Sequence, residues 1–251
     1  MKNNLFKIKW NKLIRGLIHA KGLMDDHPML NKEMVNGVEI WSIFKRTSGN
    51  ENPLLYALEG EKGRKFKANK DDNAIFSQVE KIVEKFVAMH NYDITIVLPS
   101  RSKINDYLVS VLKNKAKSAI VIDDILMKST VEDVDSIVTM PNSPFFQKYG
   151  KDRRTFEEAL GRFRDYCAKM TDVFFRYSLI PDIEMREVIQ NAISLDNAKV
   201  GRYAESINDK NVLLIDDSVA QGDTISSACE ILKEYFVPKT ISVLTLFSRQ
   251  Y

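Results

Sequence analysis

The chain has only two cysteines in 251 residues, Cys167 and Cys229. They lie far apart and in no metal-ligand spacing, which argues against a disulfide scaffold and for a reducing compartment. Long apolar runs are missing too. None approaches the roughly 18 to 20 residues that span a bilayer, and the N-terminus lacks the uninterrupted apolar stretch of a secretory signal. The expectation is a cytoplasmic protein with no membrane contact. A strong charge excess is also absent: the formal net charge is +3, too small to argue for nucleic acid as the main partner. Internal repeats and low-complexity tracts are lacking. The one charge asymmetry is at the start, where Lys2, Lys7, Lys9, Lys12, Arg15 and Lys21 stand without an acid among residues 1–21. Such a segment could meet a phosphate backbone, although a solvated surface explains it more simply.

What is present is ordinary globular material: 44% hydrophobic and 28% charged residues. The length suits one large α/β domain or a core with a small accessory domain. Phe6, Ile8 and Trp10 alternate with lysines as in a short strand, and Leu13, Ile14, Leu17 and Ile18 follow helical spacing. Residues 22–36 read as irregular. Residues 38–45 and 54–58 read as strands around a turn at 47–53. Ile75, Val79, Ile82, Val83, Phe86 and Met89 mark one helix face, with Asp71-Asp72-Asn73 available as its cap.

From there strands and helices alternate. Strands are expected at 94–98, 119–122, 212–215 and 240–247. Between them fall the helix faces Ile104, Leu108, Val111, Leu112 and Ile225, Ala228, Cys229, Leu232, Phe236. That alternation implies right-handed βαβ crossovers and a parallel sheet covered on both faces. The interval 125–211 breaks it with a helix bearing Phe156, Leu160, Phe163 and Cys167, and with Val173-Phe174-Phe175 and Ile180-Pro181. The organisation expected is an N-terminal hairpin and helix region at 1–70, then an α/β core at 71–251 carrying a large helical insertion at about 125–211.

The chemistry concentrates after the third core strand, in Asp216-Asp217-Ser218-Val219-Ala220-Gln221-Gly222-Asp223-Thr224-Ile225. Ligands of open α/β sheets bind outside the carboxyl ends of the strands, where Asp216 and Asp217 fall. Adjacent carboxylates can accept hydrogen bonds from two neighbouring ribose hydroxyls and favour positive charge developing on the sugar ring. Gly222 allows close backbone approach. The turn's amides, backed by a helix N-terminus and joined by the hydroxyls of Ser218 and Thr224, suit a phosphate. Ala119-Ile120-Val121-Ile122-Asp123-Asp124 is an internal control: it too ends a strand with two acids but leads into Ile125-Leu126-Met127-Lys128, without glycine or a phosphate turn. Its acids read as a strand-end feature. Earlier, Leu98-Pro99 leads to Ser100, Arg101, Ser102 and Lys103, where two hydroxyls, two cations and helix amides suit a diphosphate.

The segment 212–225 resembles the 5-phosphoribosyl 1-pyrophosphate (PRPP) motif of type I phosphoribosyltransferases: four apolar residues, two acids, a short variable stretch, then Gly-x-Thr. Gln221 stands where that family often has Thr, and Ser218 after the acids also occurs in its amidotransferase members. The sequence Met185-Arg186-Glu187-Val188-Ile189-Gln190-Asn191, continuing through 192–200, resembles the Arg…Asn segment preceding the PRPP strand in the ComF-like branch.

The resemblance implies a Rossmann-like phosphoribosyltransferase core and PRPP or a ribonucleotide monophosphate as ligand. It also implies transfer of the phosphoribosyl group to a nitrogenous base or other nitrogen acceptor with release of diphosphate. Asp216 and Asp217 would be the catalytic pair, residues 218–224 would hold the 5-phosphate, and residues 100–103 the diphosphate. Mg²⁺ is expected on the diphosphate without a direct protein cage, and a homodimer is expected. The family's mobile catalytic loop would fall in the insertion, whose cations Lys148, Lys151, Arg153, Arg154, Arg162, Arg164 and Arg186 are either lid residues or solvated. The last expected strand runs almost to Tyr251, so a hood over the acceptor is expected from 1–70, from the insertion or from a partner. Trp10, Trp41, Phe44 and Tyr56 are candidates to stack on a base, with core packing the simpler role. An alternative of another class is a non-catalytic module that senses PRPP or nucleotides, or handles DNA. A response-regulator-like use of Asp123 or Asp216 lacks its companion motifs.

Overall fold

A computed structural model describes residues 30–35, 37–46, 70–100, 103–115, 120–130, 138, 146–148, 150, 152–169, 193–219 and 222–250. Expected features at 6–18, 47–58, 173–175, 180–181 and 185–192 lie outside the described residues.

The chain forms two compact units. One comprises Met1–Ile125 with Asn197–Tyr251, the other Leu126–Asp196. The larger holds a six-stranded sheet. Its strands are β1 (Asn31–Val35), β2 (Val38–Arg46), β3 (Ile94–Val97), β4 (Ile120–Ile122), β7 (Asn211–Ser218) and β8 (Thr240–Gln250), in the spatial order β1-β2-β8-β7-β3-β4. All neighbours pair parallel except β1 with β2. Its helices include α1 (Lys70–Met89), α2 (Lys103–Lys115), α4 (Val200–Ile207) and α5 (Asp223–Tyr235). This is a mixed α/β unit on a mostly parallel sheet, compatible with a Rossmann-like arrangement.

The expected helix faces form the packing. Val79, Ile82, Val83 and Phe86 of α1 and Ile104, Leu108, Val111 and Leu112 of α2 share one core with Leu213, Ile215, Leu244 and Leu246 of the sheet. Met89, at the end of α1, is exposed instead. The helix starts at Lys70, so the acids at 71 and 72 lie inside its first turn rather than before it. Ile225, Ala228, Cys229 and Leu232 of α5 are also buried but are not part of that core. The right-handed crossover rule puts α1 and α2 over one face and α5 over the other, and the core that α1 and α2 share without α5 agrees with it. A strand between two helical layers must be apolar on both sides, which accounts for the unbroken buried run Val212, Leu213, Leu214, Ile215 in β7.

One expectation needs correction. Residues 31–35 are not irregular: they form β1, joined to β2 through Gly37, whose φ of 76° is left-handed. The described part of the N-terminal region joins the sheet: Ile40 and Ser42 of β2 pair with Val243 and Thr245 of β8. Of the aromatic candidates Trp41 and Phe44 are described, and both take the simpler packing role. Phe44 is buried against Phe247, with ring centroids 5.7 Å apart. Trp41 meets the edges of Phe86 and His90 at 6.3 and 4.6 Å and donates from Nε1 to Glu39.

The smaller unit contains β5 (Leu126–Lys128), antiparallel to β6 (Ile193–Leu195), and α3 (Arg153–Ala168). Phe156, Leu160, Phe163 and Cys167 are all buried on α3, as their spacing requires, and Asp152 caps it by accepting from the Thr155 amide. Arg153 and Arg154 are exposed and paired to Glu157 and Glu158 one turn on, so they read as a solvated helix face. Helix α4, inside the interval expected to be insertion, belongs to the larger unit and leads into β7. Among the described residues no helix is long and apolar enough to cross a membrane.

Candidate functional site

The strand order reverses at β3. From β3 the chain moves outward to the edge strand β4, then reappears on the other side of β3 as β7 and moves on to β8. A crevice opens outside the carboxyl ends of the two strands flanking such a switch point, and open α/β sheets bind ligands there. The segments leaving β3 and β7 are the two that carry the expected binding residues.

They meet. Ser100, beyond β3, donates from Oγ to Asp217 Oδ2 at 2.8 Å, across 117 residues of sequence. The other carboxylate oxygen, Oδ1, accepts from Ser218 Oγ at 3.1 Å. Asp216 turns back on the chain: its Oδ1 accepts the amide of Asp217 at 2.9 Å, and the residue is 8% exposed. Asp217 is half-buried. The described donors to Asp217 are thus neutral hydroxyls, which orient a carboxylate without neutralising it.

The end of β7 is held from the side. Phe247 O accepts both the Val219 amide, at 3.0 Å, and Thr245 Oγ1, at 3.0 Å. Since Thr245 uses its proton there, Ser42 is the donor in the buried 2.9 Å contact between the two hydroxyls. Ser42, Thr245 and Asp216 stand in register on β2, β8 and β7. A row of polar side chains therefore crosses the carboxyl end of the sheet towards Asp216.

The phosphate turn differs from expectation in three respects. Val219 is buried and its N–H is engaged with Phe247 O, so it is not a phosphate donor. The Ser218 hydroxyl points to Asp217. Gly222, at φ 89° and ψ 0°, is the N-cap of α5, and a Cβ added there would overlap Cγ1 of Val35 in β1. The glycine is thus required by its left-handed backbone and by packing inside the chain. What remains as an anion site is the first turn of α5. The N–H groups of Asp223, Thr224 and Ile225 have no acceptor within the helix, the residue at the cap supplies no side chain, and the first helical bond runs from Ser226 N to Gly222 O. Thr224 is partly exposed beside them. Arg101, Ser102, Ala220 and Gln221 lie outside the described residues, as do the side chains of Lys103 and Asp223.

The second acid pair behaves as its sequence context suggests. Asp124, beyond β4, accepts from Tyr203 Oη at 2.7 Å, and Lys199 Nζ reaches its carboxylate at 3.1 Å and its carbonyl at 2.8 Å. The Tyr203 hydroxyl, aided by Lys199, holds the Asp124 carboxyl below its usual range. Neither partner was apparent from the sequence, since both sit 75 or more residues away. Burial pushes the Cys229 thiol up to about 12, so it stays protonated and packs as an apolar group rather than serving as a nucleophile. A scan against protein-family models finds no match to the chain, and a search of curated proteins finds none either.

Proposed function

We propose that the chain binds PRPP, or a ribonucleotide monophosphate, in the crevice between the ends of β3 and β7, and transfers the 5-phosphoribosyl group to a nitrogen acceptor with release of diphosphate. In this reading the larger unit is a phosphoribosyltransferase-like core. The observation that carries it is the hydrogen bond from Ser100 to Asp217: the segment expected to hold diphosphate and the acids expected to hold ribose adjoin at the switch point of a parallel sheet.

Each part has a task suited to its chemistry. Asp217, whose described donors are two hydroxyls, would accept ribose hydroxyls and favour the oxocarbenium character that builds as the C1–oxygen bond breaks. Asp216, largely buried and bonded to the next amide, fixes the backbone that presents Asp217. The amides of the first α5 turn, which have no acceptor within the helix, and the Thr224 hydroxyl take the 5-phosphate. Ser100 and the start of α2 face the diphosphate.

Mg²⁺ would enter with the ligand. Among the described residues no group of three or more His, Cys, Asp or Glu could hold a metal, and an ion bound mainly by diphosphate oxygens needs only one or two carboxylates nearby, a role open to Asp216 and Asp217. When bound it neutralises the leaving diphosphate.

The test is incubation with Mg-PRPP and a panel of bases, following diphosphate. Base-dependent release supports transfer. Tight binding without release favours a sensing module, and failure to bind Mg-PRPP or any ribonucleotide monophosphate removes the proposal.

A further inference from the structure

Asn105 belongs to none of the motifs legible in the sequence. It lies in the first turn of α2 and is 3% exposed. Its Nδ2 donates to the carbonyl of Leu98 at 3.0 Å. The N–H of that same Leu98 donates to Ile215 O of β7 at 2.9 Å, and the Leu98 residue is 1% exposed. Leu98 is therefore held at both backbone groups, one by the neighbouring strand and one by the Asn105 side chain. Pro99 follows, with a fixed φ and no N–H. Little rotational freedom separates the held carbonyl from Ser100, whose hydroxyl reaches Asp217. Asn105, Leu98, Ser100 and Asp217 thus form one continuous linkage from α2 to the end of β7.

The other half of the Asn105 amide is informative. Its Oδ1 is buried and accepts no hydrogen bond from the described residues. A buried acceptor without a donor is a standing cost, which an apolar residue of similar size would avoid. That residue would instead leave the buried Leu98 carbonyl without its donor, so the two costs offset, and what asparagine adds is a donor aimed at that carbonyl.

We infer that Asn105 is a positioning residue that sets the course of the segment after β3, and through Ser100 the orientation of the Asp217 carboxylate. The use made of that orientation rests on the PRPP reading of the site. The linkage itself does not.

The experiment compares Asn105→Leu, similar in size but without a donor, with Asn105→Ser as a second variant should leucine fail to fold. Leucine removes the orphaned Oδ1 but orphans the Leu98 carbonyl, so the melting temperature is expected to hold. Amide exchange at Leu98 in the unliganded protein is expected to speed up about tenfold. Mg-PRPP affinity by calorimetry is expected to fall by about tenfold or more. Adding Asn105→Leu to Ser100→Ala should weaken binding no further than Ser100→Ala alone. Unchanged exchange at Leu98, or losses that simply multiply in the double variant, would overturn the inference. A wild type that takes no Mg-PRPP would instead count against the proposed function, with the exchange result still deciding whether Asn105 holds the segment.

Discussion

Two parallel strands, β4 and β7, each run out into a pair of aspartates, and the two ends have different fates. At the end of β4, Asp124 is tied by a lysine and a tyrosine hydroxyl from the start of α4. At the end of β7, Asp217 receives serine hydroxyls, and a left-handed glycine four residues beyond Ser218 opens a helix. A carboxylate paired to a cation has much of its charge already balanced. Among the described residues, the donors to Asp217 are neutral hydroxyls that orient the carboxylate without pairing it to a cation. The lesson is that strand-end acids become a candidate site through what surrounds them, and the β4 end serves as an anchor.

The sharpest way to break the comparison is to neutralise each pair in turn. Asp216→Asn with Asp217→Asn is expected to weaken Mg-PRPP binding on the order of a hundredfold or more, since hydrogen bonds to charged groups contribute about 1.5–3 kcal/mol each. The melting temperature should change little. The corresponding change at Asp124 should leave binding untouched. Equal effects of the two changes, by calorimetry, would erase the distinction.

A smaller effect is expected at the glycine that only the β7 end possesses. Gly222→Val forces a branched residue into a left-handed conformation and against Val35, at a cost of about 2–4 kcal/mol. Denaturant unfolding should register the loss, and Val35→Ala in the same chain should return about 1 kcal/mol of it. No recovery would mean that the Val35 contact is not the obstacle. Loss of ligand binding in Gly222→Val alone cannot be assigned to the phosphate site, because the structure gives the glycine a packing role of its own.

Much of this was legible in the sequence, and the physical reason is burial. Helices α1, α2, α3 and α5 show their apolar faces because each covers a core, and β7 shows an unbroken apolar run because it lies between two layers. Strand β1 did not show. It is an edge strand with Asn31, Lys32 and Glu33 among its five residues, and nothing in it repeats strongly at period two. The parallel pairing of β2 with β8 was equally hidden, since Ser42 and Thr245 are 203 residues apart. At the site, the acids and the glycine could be read off, but their partners could not. The sequence pattern points Ser100 at a ligand rather than at Asp217, and Val219 at a phosphate rather than at Phe247. Val35 and Asn105 act through contacts that no local pattern encodes.

The mildest changes concern the β4 anchor. Asp124→Asn is expected to reduce stability by under about 1 kcal/mol, as befits a half-exposed ion pair. Because the folded Asp124 carboxyl lies below its unfolded value of about 3.9, its contribution is complete above roughly pH 4 and is lost as pH falls through the lowered value. Thermal melts of wild type and Asp124→Asn should therefore converge on acidification below that range. A difference that persisted or grew there would contradict the assigned role.

The central claim is that a sugar phosphate sits on the first turn of α5 with its ribose at Asp217. It is tested most directly by titrating isotopically labelled protein with Mg-PRPP and following backbone amide resonances. The account predicts the largest shifts at Asp223, Thr224 and Ile225, with further shifts at Ser100 and Asp217 and little change at Asp123 or Asp124. Saturable shifts confined to another surface, or no shifts at millimolar ligand, would contradict it.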